Sequence, residues 1–303
     1  MSQDHEGVKA RLGRVGVFQG ALLRAPAEEA RRFAARVEEL GYGALWFGEG
    51  AATKEAFTHA GLLLAATERL AVGTGIANIW VRDATAANAA ALTLAEAHGG
   101  RFVLGLGASH APQVEVRGHT YEKPLAAMRS YLDGLDAAEF HAALPPTGPP
   151  PRVLAALGPK MLGLAAERAA GALTYCVTPE HTASAREAMG GGALLAVEQA
   201  VVLESDPAKA REAARAHLAF YLGFPNYTRN LRRYGFSEDD FADGGSDALV
   251  DSLVAWGDEE TVRRRVAAHH KAGADHVAVQ PLVAPGEGDL GAGQLAELGA
   301  ALL

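Results

Sequence analysis

The chain has 303 residues, 49% hydrophobic and 21% charged, with a formal net charge of −8 and a single cysteine. An acidic balance without a long basic run excludes a nucleic-acid surface, no stretch approaches the roughly 18 uninterrupted apolar residues of a membrane span, and Cys176 alone cannot form an internal disulfide, which suits a reducing compartment. The opening MSQDHEGVKARLGRV has no signal-type apolar run, so the expectation is a cytoplasmic protein acting on a small-molecule substrate, with neither nucleic acid nor membrane as partner.

RVGVF (14–18) reads as a short strand. From Pro26 the residues Ala30, Phe33, Ala34, Val37 and Leu40 recur at helical spacing, and Pro at the start with Gly41 past the end brackets that helix. The unit then repeats. ALWFG (44–48) precedes a helix near 54–67, LAVGTGI (70–76) one near 84–98, and RFVLGLG (101–107) one near 122–138. After the linker ALPPTGPPP (143–151) the rhythm resumes with RVLAAL (152–157), GALTYCV (171–177) and EQAVVLE (198–204), and HVAVQPL (276–282) is the last strand. Each strand is nearly continuous apolar sequence, as in a parallel sheet covered by helices.

Eight strands alternating with helices over about 250 to 300 residues point to a (β/α)8 TIM barrel spanning 1–303 as one domain, rather than an open doubly wound sheet. The Pro-rich linker would also suit a boundary between two domains; equal composition and rhythm on its two sides favour one barrel. Between about 205 and 258 the rhythm lapses into a charged segment, read as helices inserted after the seventh strand, where insertions shape a barrel's active-site mouth.

The chemistry of such a barrel sits at strand C-termini, here 18–19, 48–50, 74–78, 107–110, 157–160 and 176–179. These positions are rich in Gly, Thr, Ser and Asn, which suits a flat cofactor pressed against backbone. LAVGTGIANI (70–79) breaks an apolar strand with glycines, the mark of a bulge or of close approach by a ligand or backbone. GLGASH (105–110) lacks the third glycine of a dinucleotide fingerprint and follows the fourth strand, so it is not one. In LGPKM (157–161), Gly158 and Pro159 turn into a helix with Lys160 in its first turn, an anion site suited to phosphate, although Pro159 also serves as an ordinary helix start. Glu49, between Gly48 and Gly50, is placed to bond a cofactor or act as acid/base, or equally to be a solvated or ion-paired loop acid. His110 is the candidate proton donor, while His269, His270 and His276 read as structural or solvated. No HExxH, CxxC or GxSxG occurs, which argues against a catalytic metal and against hydrolysis.

The stretches EELGYGALWFGE, ERLAVGTGIANIWVRDATAANAAALTLAEAHGGRFVLGLGASH and GPKMLGLAAERAAGA resemble the luciferase-like monooxygenase superfamily, the bacterial luciferase-like flavin and deazaflavin oxidoreductases, and especially its branch using coenzyme F420. The likeness runs over essentially the whole chain and is strongest over 36–110 and 152–180. It implies a barrel with an insertion after the seventh strand, usually a homodimer, holding F420 or alternatively FMN at the strand C-termini. It also implies a non-proline cis peptide at Gly75-Ile76 with Ile76 against the ring, Gly48 beside it, and polar contacts from Thr74 and Asn78. Gly107, Ser109, Gly158 and Pro159 would meet the ribityl or phosphate portion, joined by Lys160, with Val177 and Thr178 alongside.

Two departures stand out. Relatives commonly follow the acid at the second strand's end with a catalytic histidine, and here Glu49 is followed by Gly50; Ala108 stands where a luciferase-like phosphate-binding arginine would be. Proton delivery then falls to Glu49, His110, solvent or the substrate. The first reading is therefore an F420-dependent oxidoreductase transferring a hydride to or from an unidentified small organic substrate. The alternatives are an FMN-dependent monooxygenase and a non-catalytic flavin- or deazaflavin-binding protein.

Overall fold

The computed structural model describes residues 5–283 and 290–303, so the first four residues of the N-terminal stretch read above lie outside the described residues. Helix α1 (His5–Leu12) leads into β1 (Val15–Phe18), followed by α2 (Ala27–Glu39), β2 (Ala44–Phe47), α3 (Ala56–Leu64), β3 (Ala71–Thr74), a two-residue β4 (Ala77–Asn78) and α4 (Ala84–Ala97). Next come β5 (Phe102–Gly107), a short α5 (Ala111–Glu115), α6 (Pro124–Ala137), β6 (Arg152–Ala155), α7 (Pro159–Arg168), β7 (Gly171–Thr174), α8 (Pro179–Met189) and β8 (Leu194–Val202). The inserted segment folds as α9 (Pro207–Leu222), α10 (Pro225–Leu231), two 3-10 turns and α11 (Asp247–Leu253), after which β9 (Ala255–Trp256), α12 (Glu259–Lys271), β10 (His276–Pro281) and α13 (Ala292–Leu302) complete the chain.

The strands pair in parallel in the order β10-β1-β2-β3-β5-β6-β7-β8, and β8 returns to β10 over His276↔Ala196 to Pro281↔Val201, closing a (β/α)8 barrel. β4 and β9 are extras: the first pairs with β5 and the second with the end of β8. The seventh barrel strand, expected at 198–204, begins at Leu194, because residues Leu194 to Val197 are already paired with Gly171 to Thr174.

Glycines in and just after β3 make room for the aromatic rings that fill the barrel. A Cβ on Gly73 would fall on the Trp46 ring, and one on Gly75 would lie 2.6 Å from Phe18. Trp46 and Phe18 share the interior with Val103, Val153, Leu173, Leu194, Ala196 and Ala278, and Val8 and Leu12 of α1 join this cluster ahead of the strand N-termini. The Trp46 indole donates to His276 Nε2 at 3.1 Å, and His276 Nδ1 is 2.8 Å from the Gly13 carbonyl, so the ring carries its proton on Nδ1. Burial pushes the His276 pKa down to about 4, which keeps it neutral. His269 is equally internal, bonded to Thr182 Oγ1 at 2.8 Å and Gln199 Oε1 at 2.9 Å. A third cluster places α9 to α11 on Cys176, Ala200 and Val202, with Tyr175 at its edge, so the insertion leans on the C-terminal ends of β7 and β8.

Candidate active site

At the end of β2, Glu49 turns inward, its side chain only 2% exposed. Its carboxylate accepts from the amides of Ala56 at 3.1 Å and Asn78 at 2.8 Å and is paired with the Arg82 guanidinium. Arg82 also meets Glu55 at 2.6 Å and covers the Phe57 ring. Each carboxylate oxygen thus has partners, and Glu49 ties the segment after β3 to the start of α3.

The Gly75-Ile76 peptide is cis. On its N-terminal side the Thr74 hydroxyl donates to the Gly105 carbonyl at 2.7 Å and accepts from the Gly105 amide at 3.0 Å, so Thr74, fully buried, clamps β3 to β5 and presents no hydroxyl to the mouth. Ile76 remains half-exposed and packs on Gly107, where any Cβ would strike it. Asn78 is 4% exposed and accepts from the Trp80 amide.

Beyond β5, Ser109 takes a positive φ of 60° and its carbonyl accepts from Tyr121. His110 follows with its ring stacked on Phe224 at 4.1 Å and Nδ1 3.1 Å from Asn226 Oδ1. Burial lowers its pKa against the opposing Asn226 bond. The candidate proton donor is therefore held by the insertion. Arg117, which sequence reasoning missed, donates to the Ala51 carbonyl at 3.1 Å beside Gly50.

At α7 the N-cap is Gly158, with no side chain to bond the first-turn amides; Pro159 and Lys160 are exposed, and Arg233 Nη1 lies 3.3 Å from where a Gly158 Cβ would be. A cation from the insertion therefore approaches a helix N-terminus that a sequence reading furnished with Lys160 alone. Val177 is buried in the layer between strands and helices, and Thr178 caps the start of α8.

Opposite, a polar group no local pattern announced converges on Tyr175. Its hydroxyl donates to Gln280 Oε1 at 2.8 Å, accepts from Tyr221 at 2.9 Å, and lies 3.3 Å from His217 Nε2, while its ring meets Phe18 edge-on at 5.2 Å. Burial raises the Tyr175 phenol well above its ordinary pKa and pushes His217 down to about 4. Below lies Glu198, an interior-facing acid on β8 only 1% exposed, which accepts from the Cys176 amide at 3.2 Å and leaves Oε1 without a partner. Burial pushes its pKa up to about 8. These residues are 22 to 105 positions apart, so only the interior-facing alternation of β7, β8 and β10 hinted at any of them.

A separate cavity of about 660 Å³ lies between β9 and α12, lined by Asp251, Trp256, Asp258 and Arg265. Its charged groups are already paired, Asp251 with Arg211 and Arg265 with the Ser252 carbonyl, so the barrel mouth is the better candidate. No cluster of potential metal ligands occurs, and no helix is long and apolar enough to cross a membrane, among the described residues.

The pattern described as luciferase-like monooxygenase matches residues 11–276, and the chain belongs to that family. A Mycobacterium tuberculosis protein provisionally named a coenzyme F420-dependent oxidoreductase is 28% identical, with 86% of this chain and 92% of that protein covered. The structure of the coenzyme F420-dependent tetrahydromethanopterin reductase of Methanopyrus kandleri superposes with a TM-score of 0.77 at 19% identity, over 96% of this chain and 99% of that one. The oxygenating component of 3,6-diketocamphane monooxygenase of Pseudomonas putida, in complex with FMN, superposes with a TM-score of 0.68 at 16% identity, over 96% and 98%. At these identities the two superpositions speak for the fold.

Proposed function

We propose that this protein is a coenzyme F420-dependent oxidoreductase that moves a hydride between the deazaflavin and a small organic substrate, with the whole chain acting as one barrel unit. One observation carries the reading: the mouth pairs an apolar wall, made by Phe18, Gly75, Ile76 and Gly107, with an uncapped α7 N-terminus flanked by Arg233 and Lys160. A flat ring fits the first and its phosphate the second. Gly107 fits because a larger residue would displace Ile76, and Gly158 fits because a side chain there would close on Arg233.

In this reading Gly48, Gly75, Ile76 and Gly107 meet the ring, and Ser109, Gly158, Pro159 and Lys160 meet the ribityl and phosphate portion. Glu49, Thr74 and Asn78 build the wall from behind. Bound there, the deazaflavin supplies or accepts a hydride as an obligate two-electron carrier; the protein orients it and excludes water. The F420-dependent name of the mycobacterial relative favours this cofactor over FMN.

The test is a parallel titration of the purified apo-protein with F420 and FMN, followed by fluorescence, with stoichiometry from calorimetry. Preference for F420 with a Kd of about 1 μM or tighter is the expected result. Preference for FMN, with oxygen consumption on turnover, turns the reading to a monooxygenase, and binding of neither removes the cofactor assignment.

A further inference from the structure

We propose that Tyr175 receives the reacting oxygen of the substrate, so that the substrate is a ketone or aldehyde or the corresponding alcohol; this rests on the oxidoreductase reading above. Tyr175 is in the right place. It stands just past the end of β7, half-exposed, in edge contact with Phe18, the same ring that a Cβ on Gly75 would touch. The bulge, Phe18 and Tyr175 thus form one continuous wall of the mouth.

Its oxygen is also prepared for the task. Tyr221 donates to it at 2.9 Å and His217 Nε2 lies within 3.3 Å, so in the Nε2–H tautomer of His217 two donors support negative charge there, while the Tyr175 proton points to Gln280 and can be turned toward a ligand. Burial raises the phenol still further above neutral pH, so the resting group carries the proton to be donated in reduction, and it keeps His217 neutral. The other titratable groups packed against it are Tyr221, Tyr227, Cys176 and Glu198; burial raises all four, and the rise of Glu198 to about 8 is the one that changes a charge at neutral pH, leaving the whole group uncharged. The other candidates are committed elsewhere: Glu49 to Arg82 and two amides, His110 to Phe224 and Asn226, and position 50 has no side chain.

In the reductive direction the carbonyl carbon gains a hydride from reduced F420, which is oxidised by two electrons. The carbonyl oxygen gains the Tyr175 proton: the phenol O–H breaks and the alcohol O–H forms. Tyr175 regains a proton from His217 in its Nε2–H form, and the ring is resupplied from solvent at the half-buried edge of the insertion. Alcohol oxidation runs the same steps in reverse.

The probe is para-nitrophenol, whose phenolate oxygen mimics the developing alkoxide and whose visible band reports its ionisation. It is titrated into F420-loaded wild type, Tyr175→Phe, Tyr221→Phe and His217→Ala, with F420 affinity measured for each. The expected result is binding of the phenolate with a lowered apparent pKa in the wild type, a loss of about tenfold or more in affinity for Tyr175→Phe, and about threefold for the other two, all with F420 affinity within about twofold. A return of the bound probe's pKa toward its free value in Tyr175→Phe separates oxygen recognition from mere packing. Equal probe binding by Tyr175→Phe and wild type, or no probe binding by wild type that holds F420, overturns the proposal. Failure of wild type to take up F420 instead refutes the cofactor reading, and the same titration of the apo-protein then decides the Tyr175 subsite by itself.

Discussion

Replacing Glu198 with glutamine should stabilise the protein, and by an amount that grows with pH. The carboxyl is 1% exposed inside the barrel with one oxygen unpartnered, and burial moves its pKa from an ordinary 4.5 to about 8. Between those values the folded state holds a proton that the unfolded state releases, so stability falls as pH rises through the window. The penalty is absent below pH 4.5 and complete above about 8. At roughly 1.4 kcal/mol per unit it reaches about 3 kcal/mol at pH 7 and about 5 kcal/mol at pH 8. Glutamine keeps an oxygen for the Cys176 amide, which donates at 3.2 Å, and has no proton to lose. Urea unfolding of both proteins between about pH 5 and 8 should give a stability difference that climbs toward the alkaline end. Any effect of repacking adds a constant offset, and histidines titrate alike in both proteins and cancel. A pH-independent difference would refute the reasoning, because it would mean that Glu198 ionises in the folded barrel as easily as in the unfolded chain.

Four further outcomes are expected. The histidines His59, His217, His269 and His276 are held neutral by burial, with pKa values lowered to about 4, 4, 3 and 4; the unfolded chain protonates them first, so stability should drop as pH falls from about 6.5 toward 4, and because four such groups outweigh the single Glu198 proton until each is about a quarter protonated in the unfolded chain, the maximum should lie at about pH 7. A urea-midpoint maximum well below pH 6 would contradict this. Gly105→Ala places a Cβ on the Thr74 carbonyl and should cost more than about 3 kcal/mol, read as a large fall in Tm; a near-wild-type Tm would show that β3 and β5 separate readily. Glu49→Gln should lower stability by about 3 kcal/mol, since it strips the charge from a buried pair with Arg82 and weakens its hold on two amides, and it should weaken F420 binding with it; undiminished stability and affinity would return Glu49 to the solvated loop acids. Arg233→Ala should weaken F420 binding about tenfold and make it less sensitive to salt, without loss of Tm; an unchanged salt dependence would take Arg233 away from the phosphate.

What the sequence could disclose here is whatever depends on near neighbours along the chain. Buried parallel strands are apolar on both faces, so Val15–Phe18, Ala44–Phe47 and Phe102–Gly107 stand out as runs, and the Pro and Gly brackets of α2 act within single turns. Helix α1 escaped that reading because it buries only Val8 and Leu12, and its other residues look like any solvated terminus. Gly73 and Gly75 marked a close approach correctly, but not by what: the nearest groups are Trp46 and Phe18, placed there by closure of the barrel.

The residues of the candidate site sort in the same way. Gly48, Gly158, Pro159 and Lys160 mark strand and helix ends, local features that a chain reading can find. Whether a polar side chain faces the mouth or is spent within the wall depends on partners far away in sequence. Arg82 neutralises Glu49 from 33 positions away, Thr74 bonds Gly105, and Tyr175 gathers Tyr221, Gln280 and His217 from 46, 105 and 42 positions away. The amino-acid sequence alone determined the barrel, its order of elements and the place of its mouth, since apolar periodicity and helix punctuation are local and repeated. Only the tertiary structure decided which groups in that mouth remain available, because hydrogen-bond satisfaction and desolvation are properties of the assembled neighbourhood and not of any residue taken by itself.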